Sequence, residues 1–183
     1  MKDKKLIREE YYLLRKNKYY EIDKDFFIPF IETIKPIFKK KKIKLALYYP
    51  SLFELNVIKS LEMKYISNQN ILLPVIKENN LMNFFPWSKN EVLIINKFGM
   101  LEPVKSKINT PNVMMVPLLV FDKDKYRIGY GKGFYDRYLN RYLKKFKNIL
   151  TVGVAFSFQK HHKLPINNKD VKLDYILTEK GIY

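Results

Sequence analysis

The sequence of 183 residues predicts an α/β fold, with a single domain over residues 1–183 whose mostly parallel central sheet is flanked by helices. Short apolar segments rich in β-branched residues alternate along the chain with segments whose apolar residues recur at helical spacing. The clearest strand, residues 113–121, is apolar throughout, which is typical of a strand buried on both faces of a parallel sheet. A glycine-rich turn and a helix follow it, and ligands of such sheets bind beyond the carboxyl ends of the strands.

The first half of the chain predicts three helices and three strands. In the first helix, Ile7, Tyr11 and Leu14 form one apolar face. Pro74 indicates an edge or a bulge in its strand, because proline cannot donate a hydrogen bond to a sheet. The helices are predicted over residues 4–18, 26–38 and 54–64, and the strands over residues 43–49, 71–76 and 81–87.

The second half is less regular, and residues 88–111 show no clear pattern. Further strands are predicted over residues 113–121, 149–156 and 174–178. The helix after the glycine-rich turn has an apolar stripe at helical spacing, which predicts a face packed on the sheet. The stripe consists of Tyr135, Tyr138, Leu139, Tyr142, Leu143 and Phe146.

Composition excludes several classes of protein. A hydrophobic fraction of 47% argues against disorder, and the absence of cysteine excludes disulfides and thiolate catalysis. No apolar run approaches the length that spans a bilayer, and the charged first residues do not form a signal peptide, so we expect a cytoplasmic protein. The net charge of +17 suggests a nucleic-acid-binding protein, but the lysines are spread along the chain, which favours a generally lysine-rich surface. Its positive field would still attract small polyanions such as ATP or a polyglutamate tail.

Three alternate glycines mark the turn before the second-half helix: Gly129, Gly131 and Gly133, with Lys132 among them and Asp136 soon after. Such glycines let backbone amides approach an anion, and a helix N-terminus adds unpaired N–H groups. Because the carboxylate of Asp136 would repel a bare phosphate, we expect a divalent metal between them. The spacing is neither that of a P-loop nor that of a dinucleotide fingerprint, and an ordinary strand-to-helix turn is the alternative.

Residues 116–139 closely resemble the signature of 5-formyltetrahydrofolate cyclo-ligases, also called methenyltetrahydrofolate synthetases. The resemblance spans nearly the whole chain, although Phe134 stands where that family commonly has tyrosine. The other matching pieces follow in the family's order: Lys4 with Arg8, then Arg15; residues 46–50 with Glu54; residues 73–75; residues 98–103; residues 152–156 with Gln159; and Asp170 and Asp174 before residues 177–179.

The resemblance implies a ligase of one-carbon metabolism that forms a carbon–nitrogen bond. It would convert 5-formyltetrahydrofolate to 5,10-methenyltetrahydrofolate with ATP, releasing ADP and phosphate. The γ-phosphate would activate the formyl oxygen as an imidate-like phosphate, and N10 of the folate would then attack the activated carbon. Such chemistry depends on positioning and charge neutralisation more than on a nucleophilic side chain. The implied partners are ATP, Mg²⁺ as cofactor and the folate, with or without a polyglutamate tail, and a monomer is expected.

The same resemblance implies roles for individual residues. Catalysis through charge neutralisation is expected from Lys4, Arg8 and Lys132. ATP would be bound by Lys4, Arg8, Gly129, Gly131, Lys132, Gly133, Phe134, Tyr135 and Asp136. The folate would be bound by Tyr49, Glu54, Trp87 and Tyr135, with Glu54 accepting hydrogen bonds from the pterin. Mg²⁺ would be held by Asp136 and Asp174, with Asp170 as the competing choice.

These assignments have structural alternatives. Lys4 and Arg8 also suit a solvated helix face, Glu54 suits the N-terminus of a helix, and Tyr135 and Trp87 suit the core. Two other functions stay open as well. Another ATP-dependent enzyme on the same scaffold would not need Glu54, and a basic nucleic-acid-binding protein would show strongly salt-dependent binding.

Overall fold

Helices and strands alternate in the computed structural model, which describes residues 3–39, 41–77, 81–104, 106–143 and 149–183. Its α-helices are α1 (Lys4–Lys18), α2 (Ile28–Phe38), α3 (Lys64–Ser67) and α4 (Phe134–Leu143). Its strands are β1 (Lys44–Ala46), β2 (Asn70–Ile76), β3 (Met82–Pro86), β4 (Leu93–Ile95), β5 (Leu101–Pro103), β6 (Val113–Pro117), β7 (Val120–Asp122), β8 (Arg127–Ile128), β9 (Leu150–Val154), β10 (Lys160–His161), β11 (Tyr175–Thr178) and β12 (Gly181–Ile182).

Seven of these strands form the central sheet, in the order β12-β11-β9-β6-β1-β2-β3. The inner strands β11, β9, β6, β1 and β2 are parallel to one another, and the edge strands β3 and β12 are antiparallel to their neighbours. The predicted α/β fold with a mostly parallel sheet is therefore confirmed. Because the carboxyl ends of parallel strands share one edge of the sheet, the segments that follow β1, β2, β6 and β9 come together there.

The prediction of one continuous strand over residues 113–121 is wrong. The segment is divided between β6 of the central sheet and β7, which pairs with β8 and β10 in a separate three-stranded sheet. At the break, the Leu119 amide donates to the Ile128 carbonyl at 2.9 Å, and Arg15 Nη1 donates to the Leu118 carbonyl at 3.0 Å. These hydrogen bonds satisfy backbone groups where the chain leaves the central sheet. Hydrophobicity does not reveal the break, since both strands are buried.

The second and third predicted strands are confirmed as β2 and β3, and Pro74 pairs with Phe84 between them. The pairing of β1 with β2 ends at Leu72, so Pro74 lies beyond the part of β2 that has strands on both sides. This position agrees with the expected edge character, because the missing N–H of proline breaks no ladder there. The unpatterned residues 88–111 contain the β4–β5 hairpin.

The first predicted helix is confirmed as α1, with the same bounds. The second begins with a 3₁₀ turn, Lys24–Phe27, and continues as α2. The predicted helix over residues 54–64 is wrong, because the chain forms a 3₁₀ helix, Val57–Glu62, followed by the short α3. The side chain of Asn56 caps the 3₁₀ helix by accepting from the Ile58 amide at 3.2 Å, which leaves Glu54 in the preceding loop.

Helices cover both faces of the central sheet. Phe30 and Ile34 of α2 are fully buried on one face, and Tyr138 and Leu139 of α4 are buried on the other. Burying each such side chain stabilises the fold by about 1.5–3 kcal/mol. Helix α1 packs on the small sheet, and Phe146 of the predicted α4 stripe and the side chain of Leu143 lie outside the described residues. No described helix has the length and apolar character needed to cross a membrane.

Candidate active site

A cavity of about 1000 Å³ lies at the carboxyl edge of the central sheet. Its walls are formed by the segment that follows β1, the ends of β2 and β6, the β4–β5 hairpin, α1, β8 with residues 129–133, the start of α4 and residues 167–170. This is the edge at which ligands of parallel sheets bind, and the volume is at the upper end of small-molecule pockets. The residues predicted for the site that line it are Lys4, Arg8, Tyr49, Glu54, Gly129, Gly131, Lys132, Gly133, Phe134, Tyr135 and Asp136.

The glycine turn, residues 129–133, links β8 to α4 and forms part of the cavity wall. Gly131 and Gly133 have φ angles of +94° and +67°, in the left-handed region that favours glycine. A Cβ added at Gly131 would lie 3.3 Å from Arg8 Cζ. Because α4 begins at Phe134, its first unpaired N–H groups and the positive end of its dipole belong to this wall. The turn therefore has the features of an anion site.

Three of the cations around this turn belong to the predicted site. Arg8 Nε donates to the Gly129 carbonyl at 2.9 Å, and Lys4 Nζ forms an ion pair with Asp170 Oδ2 at 2.5 Å. Both side chains thus extend from α1 to the cavity wall instead of forming a solvated helix face. Lys132 is exposed in the turn itself, with Nζ 5.8 Å from the centre of the Phe98 ring. Their combined charge favours a polyanionic ligand.

Asp136 is paired with Arg127, a buried arginine to which sequence analysis gave no role. Arg127 Nη2 donates to Asp136 Oδ1 at 2.9 Å, and the Val171 amide donates to the same oxygen at 3.2 Å. The Arg127 side chain is only 3% exposed, and its burial lowers the pKa of the guanidinium, although the charge of Asp136 opposes that shift. These donors orient the Asp136 carboxylate while it lines the cavity.

The two aspartates considered as the second metal ligand lie at opposite edges of the sheet. Asp170 lines the cavity, and its Oδ2 also accepts from the Asn167 amide at 2.7 Å. Asp174 precedes β11 at the amino edge, where its Oδ2 accepts from the amide and the hydroxyl of Thr151, each at 2.7 Å. The expected pairing of Asp174 with Asp136 is therefore corrected, because parallel strands place these residues at different edges. The described residues contain no cluster of three potential metal-ligating side chains.

Glu54 lies in a strained turn of the cavity wall. Leu52 and Phe53 have φ angles of +48° and +63°, a region that costs an L-residue about 1–2 kcal/mol. The turn is closed by the amide and hydroxyl of Ser51, which donate to Glu54 Oε2 at 2.9 and 3.2 Å. Glu54 is 7% exposed, and burial raises the pKa of its carboxyl, against the opposing effects of Ser51 and Arg15. A buried acceptor of this kind suits a ligand that presents N–H groups.

Three tyrosines surround Glu54. Burial, and then the charge of Glu54, raises the pKa of Tyr48, Tyr130 and Tyr135, so their hydroxyls stay protonated. The Tyr135 hydroxyl is buried and has no hydrogen-bond partner within the described part of the chain. Its ring also meets the Phe84 ring at 6.5 Å, so Tyr135 belongs to both the core and the cavity wall.

Trp87 is not part of the cavity wall, and its predicted contact with the folate is corrected. The side chain is 6% exposed, packs in the core on the α2 face, and donates from Nε1 to the Glu91 carbonyl at 3.2 Å. It follows β3, which runs antiparallel to β2, so the residue after that strand lies at the other edge of the sheet. Tyr49, which is 38% exposed, and Phe134 do line the cavity.

The model of the 5-formyltetrahydrofolate cyclo-ligase family matches residues 23–179 of the chain. The chain belongs to this cyclo-ligase family. A 5-formyltetrahydrofolate cyclo-ligase of Haemophilus influenzae is 31% identical over 73% of the chain and 74% of its own length. That of Mycoplasma genitalium is 34% identical over 73% of the chain and 70% of its own length. The family resemblance predicted from the sequence is thus confirmed.

Solved structures of cyclo-ligase relatives have the same fold. The 5,10-methenyltetrahydrofolate synthetase of Aquifex aeolicus superposes with a TM-score of 0.74 at 32% identity, covering 98% of the chain and 91% of its own. The synthetase of Mycoplasma pneumoniae superposes with a TM-score of 0.70 over 97% of the chain and 99% of its own, and at 24% identity it supports the fold alone.

Among the residues without a role assigned from the sequence, Arg15, Arg127 and Tyr130 make the contacts that hold the site together. A signal for Arg15 was present, because it follows Ile7 and Tyr11 at intervals of four and therefore lies on their buried face of α1. Arg127 and Tyr130 gave no such signal. Their surroundings depend on α4 and on the loop that contains Glu54, which are distant in sequence.

Proposed function

We propose that the protein converts 5-formyltetrahydrofolate to 5,10-methenyltetrahydrofolate with ATP, releasing ADP and phosphate. The observation that carries this proposal is that one cavity of about 1000 Å³ contains both a cationic glycine turn and a buried glutamate. Membership of the cyclo-ligase family and the activities for which its relatives are named support the conversion of the folate. The phosphates of a nucleotide need a wall rich in anion-binding groups, and the N–H groups of a pterin need a buried hydrogen-bond acceptor.

The glycine turn is proposed as the site of the ATP phosphates. Gly131 and Gly133 let backbone amides approach the anion, and Arg8 and Lys4 reach the same wall from α1. Lys132 is exposed and mobile on its four-carbon chain, so it can follow the charge of the transferring phosphoryl group.

Glu54 is proposed as the residue that recognises the pterin. Its carboxylate would accept hydrogen bonds from the pterin ring N–H and amino group. Because Glu54 is buried, a ligand without these N–H groups would leave the carboxylate short of donors and would bind more weakly. Tyr135 and Tyr49 line the same cavity and offer ring faces to the folate. The buried Tyr135 hydroxyl would gain a partner when it donates to the bound substrate.

Mg²⁺ is proposed as the cofactor, and the donors present fit it in the way that nucleotide sites bind this ion. Magnesium is usually held by one or two carboxylates together with substrate phosphates, so a separate cage of protein ligands is not required. Asp136 and Asp170 both line the cavity and would supply the carboxylates. The ion would neutralise charge on the phosphates, and Arg127 keeps Asp136 in place for it.

The proposed chemistry has two steps, phosphorylation of the formyl oxygen and ring closure by N10. The formyl oxygen attacks the γ-phosphorus, the bond to ADP breaks, and the formyl carbon becomes an imidate-like phosphate. N10 then attacks this carbon and loses its proton, and phosphate leaves with the former formyl oxygen. The cations around the glycine turn, Lys4, Arg8 and Lys132, lower the repulsion between oxygens during transfer.

The test follows the methenyl product by its near-ultraviolet absorbance, with purified protein, 5-formyltetrahydrofolate and Mg²⁺. Product is expected with ATP and not without it. Lys132→Ala should reduce turnover by about 100-fold with little change in melting temperature, because an exposed loop charge packs little. The matched control is Lys123→Ala, an exposed lysine between β7 and β8 that lies outside the cavity wall, and it should keep full activity.

Failure of this assay would take one of two informative forms. ATP binding without methenyl product would favour another ATP-dependent enzyme with a different acceptor. Tight, strongly salt-dependent binding of nucleic acid, with neither substrate bound, would favour a nucleic-acid-binding protein.

A further inference from the structure

Arg15 connects two parts of the cavity wall that are distant in sequence. Its Nη2 donates to the Tyr130 hydroxyl in the glycine turn and to the Leu52 carbonyl, at 2.7 Å, in the strained turn before Glu54. Its Nη1 donates to the Leu118 carbonyl at 3.0 Å, and the whole residue is 2% exposed. A buried guanidinium with these partners fixes the distance between the two turns, because its donors form a rigid fork.

Tyr130 continues the connection to Glu54. The Tyr130 hydroxyl accepts from Arg15, and it lies close enough to Glu54 that, besides burial, the charge of that carboxylate raises the pKa of the Tyr130 hydroxyl. One hydroxyl can accept from Arg15 and donate to a carboxylate at the same time. Arg15 Cζ also lies 5.4 Å from the centre of the Tyr130 ring. The order Arg15, Tyr130, Glu54 therefore leads from α1 through the glycine turn to the acceptor proposed for the pterin.

Helix α1 holds the strained turn from a second side. The rings of Tyr12 and Tyr19 meet the Phe53 ring at 6.4 and 6.0 Å. Left-handed conformations at Leu52 and Phe53 persist only where the surroundings determine them, and α1 supplies those surroundings. The same helix holds the glycine turn through Arg8, so one rigid element contacts both turns.

We propose that Arg15 and Tyr130 are positioning residues that couple the nucleotide and folate subsites. Phosphates seated at the glycine turn would hold Tyr130 in place, and Tyr130 would in turn orient Glu54 for the pterin. This inference rests on the proposed function and goes beyond it, because it requires each ligand to raise the affinity for the other by the same factor.

The test measures this factor by calorimetry with ADP and Mg²⁺, as a nucleotide that does not react, and 5-formyltetrahydrofolate. For the wild-type protein, the affinity for ADP should rise at least about 5-fold when the folate site is saturated, the lower end of typical coupling. Tyr130→Phe should reduce this factor to about 1, with a much smaller change in the affinity for ADP alone. Tyr126→Phe, outside the cavity wall, is the matched control and should keep the wild-type factor.

Arg15→Lys provides the second variant, because a larger truncation of so buried a residue could prevent folding. An ammonium keeps the charge but lacks the planar fork whose two terminal nitrogens reach Leu118 on one side and Leu52 and Tyr130 on the other, so the coupling factor should again fall towards 1. Wild-type protein that binds both ligands independently, or a Tyr130→Phe variant that keeps the coupling, would overturn the inference and leave the proposed function intact. Wild-type protein that binds neither ligand would overturn both.

Discussion

Replacing Gly131 with alanine tests whether the glycine turn must keep its left-handed bend beside Arg8. The φ angle of +94° at Gly131 should cost an alanine about 1–2 kcal/mol in the free energy of unfolding. The new Cβ would also lie 3.3 Å from Arg8 Cζ and 3.4 Å from Nε, so the guanidinium must move and its 2.9 Å bond to the Gly129 carbonyl must weaken. The shift would move Arg8 away from the wall proposed for the phosphates. Because a hydrogen bond to a charged group contributes about 1.5–3 kcal/mol, losing one Arg8–phosphate contact would weaken nucleotide binding by roughly tenfold or more.

Two other glycines serve as matched controls. Gly181 has a φ angle of +116° and nothing within 4 Å of an added Cβ, so Gly181→Ala should lose about 1–2 kcal/mol of stability and bind nucleotide normally. Gly129 lies in the same turn as Gly131, but its φ is not left-handed and its Cβ would also meet open space. Gly129→Ala should therefore keep its stability or gain about 0.4–1 kcal/mol.

Urea unfolding measures the stability of the three variants, and titration with ADP and Mg²⁺ measures nucleotide affinity for Gly131→Ala and Gly181→Ala. The reasoning is refuted if Gly131→Ala binds nucleotide as the wild-type protein does, since the position of Arg8 would then be irrelevant. It is refuted equally if Gly131→Ala is no less stable than Gly129→Ala, since the bend would then impose no strain.

Three further substitutions test other parts of the site. Burial raises the pKa of the Glu54 carboxyl above 4.5, so the folded protein binds that proton more tightly than the unfolded chain does. The free energy of unfolding of the wild type should therefore fall as pH rises from the unfolded to the folded pKa, and Glu54→Gln should become more stable relative to it over that interval. Urea titrations at several pH values measure this difference, and a difference independent of pH would contradict the argument. Asp174→Ala should lower the free energy of unfolding by about 1–2 kcal/mol, because the amide and hydroxyl of Thr151 lose their acceptor, and turnover should not change. A changed dependence of turnover on Mg²⁺ would instead indicate that Asp174 binds the metal. Arg127→Met should lower the free energy of unfolding by about 3 kcal/mol in the same urea assay, because it leaves Asp136 without its buried partner. A loss below about 1 kcal/mol would show that the Arg127–Asp136 ion pair contributes little to stability.

The sequence predicts best where a single element determines the pattern. Helix α1 follows from the spacing of Ile7, Tyr11 and Leu14, and the apolar strands follow from their composition. The glycine turn is equally local, since alternate glycines before a helix favour close approach to an anion wherever the turn lies. Helix α1 and the glycine turn with the start of α4 contain most of the predicted site residues that line the cavity.

Prediction fails where the answer depends on how distant elements are arranged. Asp174 and Trp87 lie at the wrong edge of the sheet for the cavity, and only the direction of β11 and β3 shows this. Residues 113–121 divide between two sheets, because Val120 and Phe121 pair with Ile128 and Arg127 of β8 instead of continuing β6. Arg127 became visible as a site residue only when α4 brought Asp136 to it.

Helix α1 precedes its partners in chain order, and its contacts with the cavity wall are among the longest in sequence separation. Arg8 and Gly129 are separated by 121 residues, and Lys4 and Asp170 by 166. Neither contact can form during translation until those later residues have left the ribosome, and contacts of such separation slow folding. A nascent chain can therefore form the contacts of α1 with Leu52 and Phe53 early, but its contacts with Gly129 and Asp170 only later, and the cavity wall is completed only after residue 170 has emerged.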